Sequence, residues 1–99
     1  MSHHVRLTRE ARADLRRLND FLLQHDLLPA RRARETIAKG LQLLQDFPFA
    51  GRKANEVDPT LRELVIPFGS AGYVALFRIV DNATVSILAV RHQREDDYH

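Results

Sequence analysis

Apolar residues recur along this chain with two different periods, and the change from one to the other divides it. Ala11, Leu15, Leu18 and Leu22 are spaced by four, three and four, which puts them on one stripe of an α-helix with Phe21 beside it. Arg9, Arg12, Arg16 and Asp20 lie off that stripe. Thr8 stands where an N-cap belongs, and Glu10 falls in the first turn, where the helix dipole favours an anion. The pattern predicts a helix over residues 8–25. Asp26 is placed to cap a second helix, and Pro29 fits its first turn because the missing N–H had no intrahelical partner there. Ala33, Ile37, Leu41 and Leu44 carry that helix to about Asp46, before Pro48 stops it. So short a connection predicts an antiparallel hairpin.

The period then shortens to two. His3-His4-Val5-Arg6-Leu7, ahead of the helices, alternates weakly and is short enough for a strand. Residues 47–60 are irregular, punctuated by Pro48, Gly51 and Pro59. Leu61–Ile66 reads as a strand ended by Pro67, and residues 69–72 as a turn rather than a phosphate loop, since a strand follows. Tyr73–Val80 is the next strand, Asp81-Asn82 a two-residue turn that uses asparagine's tolerance of positive φ, and Ala83 to about Arg91 the last strand. Tyr73, Ala75, Phe77 and Ile79 share one face, with Val74, Leu76 and Val80 on the other, the pattern of a central strand covered at least partly on both sides. The expected fold class is α+β in the order β-α-α-β-β-β. A small, mostly antiparallel twisted sheet packs against an α-helical hairpin, as one domain over residues 1–99.

Composition narrows the function classes. With 44% hydrophobic and 28% charged residues in 99, a real core is expected, but not a deep substrate pocket plus a cofactor domain. Zero cysteines exclude disulfides and thiolate metal sites, and no apolar stretch approaches a membrane span, so a cytoplasmic protein is expected. Charge is uneven: residues 1–53 carry eleven Lys/Arg against six Asp/Glu, residues 54–99 four against seven. That excess is modest for duplex DNA and favours an acidic protein partner for the helical half.

The last strand runs straight into Arg91, His92 and Arg94, followed by Glu95, Asp96, Asp97 and Tyr98. An oily strand belongs inside a sheet, so this cluster is held at the sheet's exit, aimed at a partner. The bland reading is a solvated strand end. Histidine is a residue type suited to acid or base work, so His92 is a candidate for either; Tyr98 could stack, and the acidic run reads as a solvated tail that could also pair with nearby arginines. Arg62 and Arg78 are strand arginines that could contact a target or merely snorkel at an edge. No metal constellation, cofactor motif or nucleophile triad is visible, and neither a metal nor a cofactor is expected.

Several stretches resemble the RelE/ParE superfamily of toxins from bacterial toxin–antitoxin pairs. They are Leu7-Thr-Arg-Glu-Ala-Arg-Ala-Asp-Leu15 between strand and helix, Phe47-Pro-Phe-Ala-Gly-Arg52 after the second helix, and Leu61-Arg62 at a strand start. Gly72-Tyr73-Val-Ala-Leu-Phe77 and Val90-Arg-His92-Gln-Arg94-Glu-Asp96 complete the set in order. The resemblance implies a toxin, associated with plasmid stabilisation in its ParE-like branch, that binds DNA gyrase and traps it on cleaved DNA without catalysis of its own. A ParD-like antitoxin is the implied neutralising partner. Arg62, Arg91, His92, Arg94 and Tyr98 are then the target-binding candidates, and Arg12, Arg16, Arg31 and Arg34 those for the antitoxin. One alternative is a RelE-like ribosome-dependent mRNA endonuclease using His92, Arg94 and Tyr98. The arginine that ribonuclease members carry before the central strand would fall near Phe68, which cannot neutralise a phosphate. A second alternative is a degenerate toxin that serves only as an antitoxin-binding co-repressor.

Overall fold

The residues that set the two periods form the elements they predict in the computed structural model, which describes residues 2–24 and 27–94. Strand β1 (His4–Leu7) leads into helices α1 (Arg9–Leu23) and α2 (Leu27–Leu43). A 3-10 turn (Pro48–Ala50) and a short strand β2 (Arg52–Lys53) precede β3 (Leu61–Phe68), β4 (Ala71–Ile79) and β5 (Thr84–His92). The sheet runs β1-β5-β4-β3-β2, with β1 parallel to β5 and the other pairs antiparallel. This is the α+β arrangement expected, with β2 as an addition: two residues are too few to show a period of two.

Side chains bolt the first helix to the last strand. Thr8 caps α1, its Oγ1 accepting from the Ala11 N–H at 3.1 Å while donating to the Ile87 carbonyl at 2.9 Å. Nearly two turns on, Asp14 Oδ2 accepts the Val90 N–H at 2.9 Å, beyond the reach of β1, which pairs only with Thr84–Ile87. Between these anchors the α1 and α2 stripes (Ala11, Leu18, Ile37, Leu41, Leu44) meet the sheet face built by Leu64, Ile66, Tyr73, Phe77, Ile87 and Val90. Each large side chain buried there contributes roughly 1.5–3 kcal/mol. Helices pack on that face alone. Val74 on the other face is nonetheless buried at 8% exposure, while Val80, just past β4, is 51% exposed, so the second face has the partial cover expected of it.

Local differences from the sequence-based expectation have local causes. Pro67 does not end β3; it pairs in register with Gly72. β2 covers only Arg62 and Glu63, so the outer edge of β3 is free at Pro67 and its missing N–H costs no ladder bond. Gly69, at φ +62, and Ser70 make the two-residue hairpin loop, a place for the positive φ that glycine adopts freely. The next connection is longer than two residues, and among the described residues no non-glycine has a positive φ. There Asp81 Oδ1 accepts the Ala83 N–H at 2.8 Å, so a side chain shapes the turn that Asn82 was expected to shape. Helix α2 ends at Leu43, short of Asp46, because residues 44–46 tighten into i→i+3 bonds. The capping role expected of Asp26 lies outside the described residues.

Candidate functional site

At the exit of β5, alternation separates the basic cluster. His92 lies opposite Tyr73 and shares the helix-side face with Val90, whereas Arg91 lies opposite Val74 on the face away from the helices. The His92 ring stands edge-on to Tyr73 at 5.4 Å and 86°, and Tyr73 in turn meets Phe68 at 6.0 Å. His92 Nδ1 accepts the Arg94 N–H at 3.0 Å, so the neutral ring carries its hydrogen on Nε2. The Arg94 guanidinium donates to Ser70 Oγ at 3.3 Å, tying the chain's exit to the β3–β4 hairpin. Helix α1 supplies the far wall with Arg17, Leu18, Phe21 and Leu22, closing a groove of about 690 Å³ around His92, Arg94, Phe68 and Tyr73. Phe21 is 59% exposed, an aromatic left at the rim. Burial raises the Tyr73 hydroxyl pKa, so this side chain stays a neutral phenol at ordinary pH. The groove therefore offers aromatic surface and cationic ends. Among the described residues, the Nδ1 lone pair of His92 is already engaged by the Arg94 N–H.

The other strand arginines sit elsewhere and are otherwise occupied. Arg62 points to the helix side at the far end of β3, where Nε donates to the Gly51 carbonyl at 3.0 Å and Nη2 donates to the same oxygen. Its guanidinium also lies 5.4 Å from the Phe49 ring centroid. Arg78 donates to Asp58 Oδ2 at 2.5 Å and to Thr60 Oγ1 at 3.1 Å. Thus Arg62 is not gathered with His92 and Arg94, Arg91 faces away, and Tyr98 with the acidic run 95–97 lies outside the described residues.

A second groove, of about 360 Å³, opens between the two helices. Arg16 and Arg34 stand on its walls among Leu15, Leu22, Ala30 and Ile37. Arg12 and Arg31 are exposed but do not line it, and Arg12 Nε reaches the Leu7 carbonyl at 3.4 Å. Asn19 also lines it, with Oδ1 buried and unpartnered. Sequence reasoning passed over Asn19, yet it had a signal: a polar residue inside the Leu15–Leu18–Leu22 stripe. Asp14 stood within the family-like stretch Leu7–Leu15, but its partner 76 residues away could not be read from it, and Ser70, whose partner is 24 residues away, had no signal. Among the described residues no group of His, Asp or Glu could hold a metal, and no helix is long and apolar enough to cross a membrane.

Comparison with known proteins adds the following. Residues 5–97 match the family model for the ParE toxin of the type II toxin–antitoxin system parDE. Two Caulobacter vibrioides proteins are similar: Toxin RelE1, 32% identical over 95 residues, and Toxin RelE3, 34% identical over 91. These alignments cover 96% and 92% of this chain and 98% and 95% of the relatives. In three dimensions the fold is similar to a chain of the chromosomal ParDE TA system from P. aeruginosa, with a TM-score of 0.72 at 23% identity, over 92% of this chain and 96% of that one.

Proposed function

This chain belongs to the ParE toxin family of type II toxin–antitoxin systems, and on that premise we propose that it inhibits DNA gyrase by docking against it and trapping it on cleaved DNA, with a ParD-like antitoxin holding it inactive. The observation that carries the docking reading is the chemistry of the β5 exit groove. His92 has its Nδ1 lone pair committed to the Arg94 N–H, and Tyr73 is held as a neutral phenol, so neither is ready to take a proton from a ribose hydroxyl. Phe68 lines the groove near where, by the resemblance, ribonuclease members carry a phosphate-neutralising arginine. What is left, exposed Phe21 beside Arg17, His92 and Arg94, suits desolvated contact with a protein surface, where aromatic and arginine side chains dominate binding energy. Arg91 contributes from the opposite face, and Tyr98 remains a target-binding candidate by its place in the sequence. The inter-helix groove with Arg16 and Arg34 receives the antitoxin, and Arg12 and Arg31 add positive charge at its approaches, which mainly speeds association. Both partners would be met in the cytoplasm.

One observation favours a second reading, the ribosome-dependent endonuclease: His92 and Arg94 do share a groove with a second arginine, Arg17. A gyrase cleavage and supercoiling assay separates the two. Purified toxin should yield protein-linked cleaved DNA and leave transcripts intact on ribosomes. Transcripts cut within codons by toxin and ribosomes alone would overturn the gyrase reading. A chain that does neither, yet still complexes its antitoxin, would be the degenerate co-repressor.

A further inference from the structure

We propose that Asn19 selects the segment that binds between the two helices, requiring one hydrogen-bonding side chain within that segment's otherwise apolar face. The inference rests on the antitoxin half of the functional reading and deepens it. The groove is almost wholly aliphatic, so burial of a partner's apolar face supplies the attraction but little discrimination. Arg16 and Arg34 stand on its walls, one from each helix, and call for acidic residues flanking that face. The fitting occupant is an amphipathic helix of the antitoxin with aliphatic anchors and acidic edges.

Asn19 is the exception in that lining. Its Oδ1 is shut off from solvent and has no hydrogen-bond partner. An amide oxygen left so is destabilising, a cost removed when an N–H reaches it. The terminal torsion of asparagine is broad, and a rotation about it would carry the buried oxygen to the groove when a donor is there to meet it. A bound segment that places a donor among its apolar anchors satisfies the amide. A purely aliphatic segment seals the amide under hydrocarbon. Discrimination comes from that difference, because an unpaired polar group in a closed interface is penalised far more than a paired one is rewarded.

The test uses the full chain and, as probe, the purified protein encoded beside the toxin gene. Asn19→Leu should weaken the complex roughly 10–100-fold, since the partner's polar group is then buried against leucine. The free variant should keep or raise its thermal midpoint, because an orphaned amide has been removed. Asn19→Asp, which keeps the acceptor, should bind more tightly than Asn19→Leu. Replacing the partner's polar residue by leucine should restore binding to Asn19→Leu, the coupling a double-mutant cycle reads. Equal or tighter binding of Asn19→Leu overturns the inference while leaving the antitoxin reading intact. So does association that Arg16→Ala with Arg34→Ala leaves unchanged in rate, since the partner would then lie elsewhere. Self-association of the isolated chain that Asn19→Leu strengthens would assign the groove to a second copy instead. Failure of the neighbouring protein to bind the unaltered chain is a different result, and it removes the antitoxin reading itself.

Discussion

The two ends of the sheet carry the same residue type and use it differently. At the β2–β3 end, Arg62 gives two donors to the Gly51 carbonyl, Arg52 pairs with Glu63 at 3.3 Å, and Arg78 pairs with Asp58. Each of these pairs joins the sheet to a segment that would otherwise be loose: the end of the 3-10 turn through the Gly51 carbonyl, β2 through its own Arg52, and the loop before β3 through Asp58. At the β5 exit, Arg94 has one long bond to a serine hydroxyl and a groove beside it. The lesson is that an arginine's role follows from how many of its donors the fold already consumes. The first set holds irregular chain in place, and the second is left to meet something else.

The comparison is broken most severely where the β2–β3 end is overpacked. A Cβ on Gly51 would stand 2.6 Å from the Glu63 carbonyl oxygen and 2.7 Å from the Phe77 ring, backbone on one side and the core's buried aromatic on the other. Neither can retreat. Gly51→Ala should destabilise the fold by about 3 kcal/mol, lowering the thermal midpoint by roughly 12–24 °C. A midpoint within a few degrees of the parent would show that the turn relaxes, and that Arg62 clamps little.

Arg62→Ala comes next in size. It removes a charged donor pair from the Gly51 oxygen and strips the Phe49 ring of its cation, for a loss of about 2 kcal/mol. Gyrase inhibition per folded molecule should stay the same, measured below the lowered midpoint. Arg94→Ala should do the reverse, moving stability by no more than about 0.5 kcal/mol while raising the inhibitory concentration about tenfold. If Arg62→Ala weakens inhibition at constant folded fraction, the far end of the sheet belongs to the target surface after all, as its residue type first suggested.

How much of this was legible beforehand follows the range of the interactions. Period alone located both helices and three of the five strands, since apolar spacing is local; the weakly alternating β1 rested on five residues. The stretch Phe47–Arg52 could be recognised as a motif, but not that its glycine carbonyl is the acceptor for an arginine eleven residues on. His92 and Arg94 were identifiable as candidates from their place after an oily strand. The groove that makes them usable needs Phe21 and Arg17 from α1; Phe21 read only as the flank of a helical stripe, and Arg17 was passed over. The separation of Arg91 from His92 was in principle readable from strand alternation, and required only that β5 persist through His92, as it does.

The smallest effect sharpens the same contrast through pH. Asp58 Oδ1 accepts the Thr60 hydroxyl at 2.6 Å and the Thr60 N–H at 3.0 Å, while Oδ2 accepts Arg78. These bonds, the hydroxyl's first and then Arg78's, hold the carboxyl at about 2 rather than the ordinary 3.8. The folded chain therefore binds this proton less readily than the unfolded chain. The stabilisation is full above the ordinary value and is lost as pH falls through the window between 3.8 and about 2. Asp58→Asn should lower the midpoint slightly at neutral pH, and the gap from the parent should close across that window as the parent's own carboxyl protonates. Salt should narrow the gap too, because the pair is partly exposed, with 42% and 35% of the two side chains accessible. Arg94→Ala should show no such closure, since its partner is a serine that does not titrate there. A gap between Asp58→Asn and parent that stays constant from pH 5 to pH 2 would mean that the Asp58 pair holds little, and that the contrast between the two ends rests on Arg62 and Arg52.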